Sequence, residues 1–409
     1  MKKFEHTRVS GFSGNEIFCL NKLNFDAGQL CLGNNVIALG ALRGIGAGLS
    51  TLAGGEVEEV TNLVHEGRKH AFDKMMQEAK SYGGIGIAGV SFDIVNHIGN
   101  LEFIAIGSTI HSENKDQMLF STSANAQELY CQLDAGFQPI SFVFSNIAYS
   151  IGVGGSIFGA IRGLARGEVP QYTKIFEKTR NLALKRIKNE AKKVGANAII
   201  GIQTSIMPLL GTQEMMMLGT ASNHAILENF ANDPVTSDMT NEEMWNLVNI
   251  GYMPIELVMG VSVYSLGFTA GITSTIKSFI GGKVESLTEV LYEAREKAFN
   301  RLEEAAEKCG ADRVVGVKTH IYDLGSGLVE FMVIGTAVKK VSDLTTLSET
   351  LPPQAIIQDR ETFVDTSQGD KLSARGEVES ASITQKGPLS IITIIILAIF
   401  YLVSVILGK

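Results

Sequence analysis

GADRVVGV, at Gly310–Val317, is a small-residue turn running into a short apolar stretch, and the chain spells it three times. GANAIIGI stands at Gly195–Ile202 and GGIGIAGV at Gly83–Val90. Gly83 and Gly195 lie 112 residues apart, and Gly195 and Gly310 lie 115 apart. Solenoid repeats run roughly 20–50 residues, so a period this long marks whole small domains in tandem.

The segments leading into the motif match column by column. GEVEEVTNLVHEGRKHAFDKMMQEAKSYG, GEVPQYTKIFEKTRNLALKRIKNEAKKVG and GKVESLTEVLYEAREKAFNRLEEAAEKCG share apolar or small positions. Among them are Val60/Tyr172/Leu287, Val64/Phe176/Leu291, Ala71/Ala183/Ala298, Met75/Ile187/Leu302 and Ala79/Ala191/Ala306. Steps of three and four residues, sustained over several turns, make one apolar stripe along an amphipathic helix. Gly83, Gly195 and Gly310 then stand where a helix-terminating glycine belongs.

Two strand-like runs follow each helix. They are Ile85–Ile94 with Leu101–Ile110, Ala198–Ile206 with Glu214–Ala221, and Arg313–Tyr322 with Val329–Val338. Upstream, NFDAGQLCLGNNVIALG (Asn24–Gly40), GFQPISFVFSNIAYSIG (Gly136–Gly152) and GYMPIELVMGVSVYSLG (Gly251–Gly267) form another shared block. NEIFCLNKL, QELYCQLDA and EEMWNLVNI precede these blocks as short helices. One unit therefore reads short helix, strand, Gly-rich connection, long helix, strand, strand: an α+β unit with one helix across an antiparallel sheet. The expected divisions are repeats at 1–120, 121–235 and 236–341, then a flexible linker over 342–388 containing Pro352 and Pro353. A lone three-stranded sheet with one helix leaves a face and an edge unburied, so the copies must pair, within the chain or between chains.

At 409 residues, with 45% hydrophobic and 19% charged residues, the chain has room for about three globular domains. A net charge of −8 gives no basis for expecting nucleic acid as a partner. Cys19, Cys31, Cys131 and Cys309 form no CxxC pair and read as reduced core thiols. The N-terminus lacks the apolar run of a signal peptide. Leu389–Leu407, LSIITIIILAIFYLVSVIL, is uncharged and, at about 1.5 Å per residue, matches a bilayer's hydrocarbon thickness. This segment reads as a C-terminal transmembrane anchor in a lipid bilayer, and Lys371, Arg375 and Lys386 before it place the repeats on the cytoplasmic face.

The helix carrying AREKAF (Ala294–Phe299), then GADRVVGV, then LVEFMVIGTAV (Leu328–Val338) resembles the YbjQ-like family, which is labelled heavy-metal-binding. The third copy matches best, the second clearly, and the first is eroded at GGIGIAGV. The resemblance implies three tandem βαββ domains with a dodecin-like fold. It also implies assembly into rings, since single-domain members form pentamers.

The metal label finds little support in the residues. Of the seven histidines, His65 and His70 are five apart on a helix, splayed by about 140°. His320 corresponds to Ser205 and Asp93, so no ligand set repeats, and no CxxC, HxxxH or HExxH occurs. No cofactor is expected, with a metal ion only as a lesser alternative. GIGAGLS, GVGGSIFG and GFTAGITS lack the Lys-Ser/Thr of a phosphate loop and read as close-packed backbone. Ala135–Ile161 and Leu257–Ile276 are uncharged, yet align with blocks that are soluble in the similar family.

Two polar columns remain. Arg68, Arg180 and Arg295 share one helix position; Glu102, Glu214 and Glu330 share one position opening the last strand. Catalysis would need a nucleophile or base in step with them, and no Ser, His or Cys recurs so. They read as structural ion pairs or interface clamps, with Glu330 the candidate partner of Arg295 in its own copy or a neighbour's. The expected protein is a non-enzymatic, membrane-anchored homo-oligomer, a ring- or cage-forming scaffold. The alternatives are an oligomer binding a small ligand or metal between subunits, and a membrane pore.

Overall fold

The computed structural model describes residues 7–38, 40, 55–97, 99–113, 119–150, 167–210, 212–265, 285–325 and 328–357. The first repeat comprises α1 (Gly14–Lys22), β1 (Asp26–Ala38), the two-residue strand β2 (Gly55–Glu56), α2 (Glu58–Ser81), β3 (Gly86–His97) and β4 (Asn100–His111). After β5 (Phe120–Ser121) the second repeats this order with α3 (Ala126–Asp134), β6 (Gln138–Ser150), β7 (Gly167–Glu168), α4 (Pro170–Lys193), β8 (Ala198–Leu209) and β9 (Thr212–Asn223). After β10 (Val235–Thr236) come α5 (Asn241–Asn249), β11 (Tyr252–Ser265), α6 (Glu285–Lys308), β12 (Arg313–Gly325) and β13 (Leu328–Lys340).

In every repeat the last long strand lies in the middle, antiparallel to the other two: β1-β4-β3, β6-β9-β8 and β11-β13-β12. The thrice-spelled motif now has a physical reading. Its first glycine ends the helix with φ of 70°, 74° and 70° at Gly83, Gly195 and Gly310. Its last glycine (Gly89, Gly201, Gly316) takes φ of 66°, 62° and 64° where the strand register shifts by a bulge.

The short strands cross the repeat boundaries. β2 precedes the helix of repeat 1 but pairs with β6 of repeat 2, and β7 precedes the helix of repeat 2 but pairs with β11 of repeat 3. Each of these two long helices is thereby led onto the following repeat's sheet.

The three short helices begin with capping boxes, Ser13/Glu16, Asn125/Glu128 and Thr240/Glu243, in which each glutamate accepts the cap residue's N–H. Burial pushes the Glu128 carboxyl up to about 7; the Asn125 N–H opposes this, and the charges of Glu242 and Glu16 add to it. A raised folded pKa stabilises only below the ordinary carboxylate range, and that contribution is lost as pH rises through about 7. Glu128→Gln is therefore expected to stabilise the chain at pH 8 by about 2–3 kcal/mol and to change little at pH 5, measured by urea melts at both pH values.

Two expectations are corrected. The stretch read as the start of a flexible linker is packed as far as Ile357. Leu344 and Ala355, the latter in α7 (Pro353–Ile356), are buried. Asp134 accepts hydrogen bonds from Trp245 Nε1 (2.7 Å) and Ser348 Oγ (2.6 Å), and Gln127 donates to Ile357 O (2.9 Å). A buried carboxylate with those donors holds the segment against α3. The single-pass placement on the cytoplasmic face of a membrane is also overturned: among the described residues no helix is long and apolar enough to cross one. Leu389–Leu407 itself lies outside the described residues, as do the three Gly-rich stretches. Of the two other uncharged blocks, the described part of the first includes strand β6, and that of the second is the stretch of β11 from Leu257 to Ser265.

Candidate functional site

The chemistry of this chain concentrates at the junctions between repeats. Every long helix has its own sheet on one side. α2 in addition lies over β6 of repeat 2, and α4 lies over β11 of repeat 3. Strand alternation explains how a sheet serves two helices. In β6, Val143 and Ile147 join the core with α4, while Phe142, Phe144 and Ala148 face the other way and join Val60, Val64 and Met75 of repeat 1. Both faces of the repeat 2 sheet are thus apolar and covered.

At the centre of each junction sits a buried ion pair. Arg68 of α2 donates from Nη1 to Glu214 Oε1 (2.5 Å) and from Nη2 to Oε2 (2.7 Å), with side chains 1% and 0% exposed. Arg180 of α4 donates from Nη2 to Glu330 Oε2 (2.7 Å) and from Nε to Oε1 (3.1 Å), with neither side chain exposed. Its Nη2 also reaches the Tyr149 hydroxyl (2.9 Å), and the guanidinium lies 4.7 Å from the centre of that ring. Burial alone would lower the Arg180 pKa, but the Glu330 carboxylate more than offsets this and holds the guanidinium charged.

A hydrogen-bonded rim surrounds each pair. Val57 N–H donates to Ala148 O (2.8 Å) and Ala148 N–H to Thr61 Oγ1 (3.0 Å). Val169 and Thr173 make the same contacts with Val263, at 2.8 and 3.0 Å. Glu56 accepts from Arg186 (2.6 Å), and Glu168 accepts from Arg301 (2.7 Å) and Lys297 (3.0 Å). Burial would raise the Glu168 pKa, yet Lys297 and Arg301 together hold it below the usual carboxylate range.

The structure thus joins four of the six charged-column residues, and across repeats. Arg295 does not reach Glu330, whose place is taken by Arg180; the partner column is offset by one repeat. Arg295 is exposed, stands over the Tyr292 ring at 5.1 Å, and has no carboxylate partner among the described residues. Glu102 accepts from Asn34 Nδ2 (2.9 Å) and contacts His97 Nε2 at 2.8 Å, and these bonds, His97 first, lower its pKa. Sequence reasoning missed Glu56, Glu168, Arg186, Arg301 and Tyr149. The first two were visible as the repeated Gly-Glu before the helix.

A crevice of about 280 Å³ opens at the first junction, lined by His65, Asn146, Arg186, Glu190 and Lys193 among others. Its lining mixes both signs of charge with a histidine whose pKa burial lowers. A heavy-metal centre does not fit the donors described. No group of three or more His, Cys, Asp or Glu is placed to hold a metal ion among the described residues. Burial pushes the Cys19 thiol up to about 11 and Cys31 to about 12, whereas a ligand must be thiolate.

The family described as "Putative heavy-metal-binding" (YbjQ_1) matches this chain over residues 25–113, 137–225 and 250–341. An encapsulin nanocompartment protein of Mycobacterium tuberculosis is 28% identical over 231 residues, covering 53% of this chain and 86% of that protein. A UPF0145 protein of Thermosipho melanesiensis is 42% identical over 83 residues, 20% of this chain and 77% of its own. A second, from Thermosipho africanus, is 40% identical over 92 residues, covering 22% and 85%. The chain belongs to the YbjQ-like family as a tandem of three copies.

Proposed function

We propose that this member of the YbjQ-like family is a non-enzymatic scaffold that assembles with copies of itself into a ring or closed compartment. One observation carries the reading: chemistry-bearing side chains are spent on joining repeats. The buried arginines and glutamates pair with each other across junctions and present no free nucleophile or base. The mycobacterial relative bears the name of a nanocompartment protein, and its matched length corresponds to about two repeats of this chain. Three tandem repeats, with divisions near residues 120 and 235, pre-join units that a single-repeat chain would have to gather from solution. Covalent linkage raises their effective concentration and makes the internal junctions obligatory.

The test is the native mass and shape of the purified full chain. Light scattering and electron microscopy are expected to show discrete closed particles of many chains at micromolar concentration. A monodisperse single chain under those conditions rules the scaffold reading out.

A further inference from the structure

Both internal junctions obey one rule: the long helix of one repeat covers the outer sheet face of the next. Applied to the ends of the chain, the rule leaves one sheet face and one helix face over. The sheet face belongs to repeat 1. Leu32 and Val36 of β1 are 48% and 55% exposed, whereas their counterparts in repeat 2, Phe144 and Ala148, are 7% and 0% exposed beneath α2. Along Leu101–Gly107 of β4 buried and half-buried residues alternate, while β13 is buried from Leu328 to Val338. The helix face belongs to α6, where Arg295 and Tyr292 are exposed. Their counterparts in repeat 1 are engaged: Arg68 holds Glu214, and the His65 ring lies 4.9 Å from Phe144.

We propose that the outer sheet face of repeat 1 receives α6 from a second copy of this chain. Arg295 then takes the place beside Glu102 that Arg68 and Arg180 hold beside Glu214 and Glu330. The inference rests on the scaffold reading and names its contact. Three observations select a second copy as the occupant. The charges are complementary, a guanidinium on one face and a carboxylate on the other. The face continues an interface already built twice within the chain. Finally, the chain's own N-terminal segment fills the part of the face that a helix would leave bare. Leu30 N–H donates to Val9 O (2.7 Å), as Phe142 N–H does to Ser121 Oγ (2.9 Å) and Leu257 N–H to Thr236 Oγ1 (2.7 Å) from the connectors before repeats 2 and 3. Among the described residues, the area that a helix would cover stays open, with Leu32 and Val36 exposed.

The contact is head-to-tail, so it closes into a ring or runs on as a filament. It is also weaker than the internal junctions. At the rim, Glu56 and Glu168 meet Arg186 and Arg301, but the matching sequence positions are Lys283 and Lys74, two like charges that cannot pair with each other. Asn34 and His97 must also release Glu102, which exposed side chains do readily.

Charge exchange in the full-length chain tests the contact by sedimentation at about 10 µM. Arg295→Glu alone sets a new carboxylate of one copy against Glu102 of the next, and Glu102→Arg alone sets two guanidinium groups together. Like charges directly opposed are strongly unfavourable, so each variant is expected to lose at least about ten-fold in assembled fraction. The double variant offers opposite charges at every contact and is expected to recover the wild-type mass, while a 1:1 mixture of the two single variants offers them wherever the variants alternate and is expected to recover the assembled fraction. Because recovery needs both changes, a folding defect in one variant cannot imitate it. Unchanged assembly in both single variants overturns the inference while leaving the scaffold reading standing. Recovery in the double variant with open filaments under the microscope supports the contact and sinks the closed compartment. A wild-type chain that sediments alone overturns both.

Discussion

Arg180→Ala is expected to destabilise the folded chain by about 3–5 kcal/mol, the cost of leaving a buried charge without its partner. Glu330 is fully buried, and its two oxygens accept only from Arg180 among the described side chains. Without the guanidinium nothing opposes burial, which already acts to raise the Glu330 pKa. The carboxyl then folds comfortably only when protonated. A folded pKa raised above the unfolded value stabilises at low pH, and that stability is lost as pH climbs through the folded pKa. The defect is therefore smallest near pH 4–5 and grows toward neutrality. Arg180→Ala with Glu330→Ala removes both charges and is expected to cost less than the sum of the single changes. Arg180→Lys rescues little, because one ammonium cannot reproduce the two-pronged contact and the bond to Tyr149. Denaturant melts of the four variants at pH 5 and pH 8 measure all of this. Additive losses of under about 1 kcal/mol, equal at both pH values, would mean the pair behaves as a solvated one.

Most of the repeat was legible in the sequence because its determinants are local. A stripe at helical spacing, a terminating glycine and a second glycine at the bulge act within a few residues of themselves, so Gly83–Val90, Gly195–Ile202 and Gly310–Val317 announced the same local path. The pairing of Arg68 with Glu214 is different in kind. Columns record that an arginine and a glutamate recur, but they do not say which copy meets which. That offset is set by β2 and β7 reaching the next sheet, a non-local event that two residues, Gly-Glu, encode without any periodicity. Leu344–Ile357 escaped for a similar reason. Its polar, proline-containing composition reads as a tether, whereas what holds it is Asp134, more than 200 residues away in sequence.

Gly260→Val is expected to cost about 4 kcal/mol, at or beyond the upper end of ordinary overpacking. A Cβ at Gly260 would stand 1.9 Å from the Ala298 carbonyl oxygen and 2.8 Å from the Leu302 nitrogen. Those are backbone atoms of α6, so no side chain can rotate away to make room. The whole helix must lift from the sheet, and its contacts through Ala294, Ala298 and Leu302 weaken together, because dispersion attraction falls off within an ångström. Gly33 stands in the same relation to the Ala71 carbonyl of α2, at 2.0 Å. Repeat 2 shows the alternative solution: Ser145 holds this position and donates from Oγ to Ala183 O (2.9 Å), so α4 sits where a Cβ is accommodated. A thermal melt of Gly260→Val against the smaller loss of about 1 kcal/mol expected for Ser145→Ala, which removes one buried hydrogen bond, separates helix displacement from a general intolerance of change at the site. Equal, small shifts in both would show that α6 is free to rise from its sheet, and would remove the rigid helix face on which the contact between copies depends.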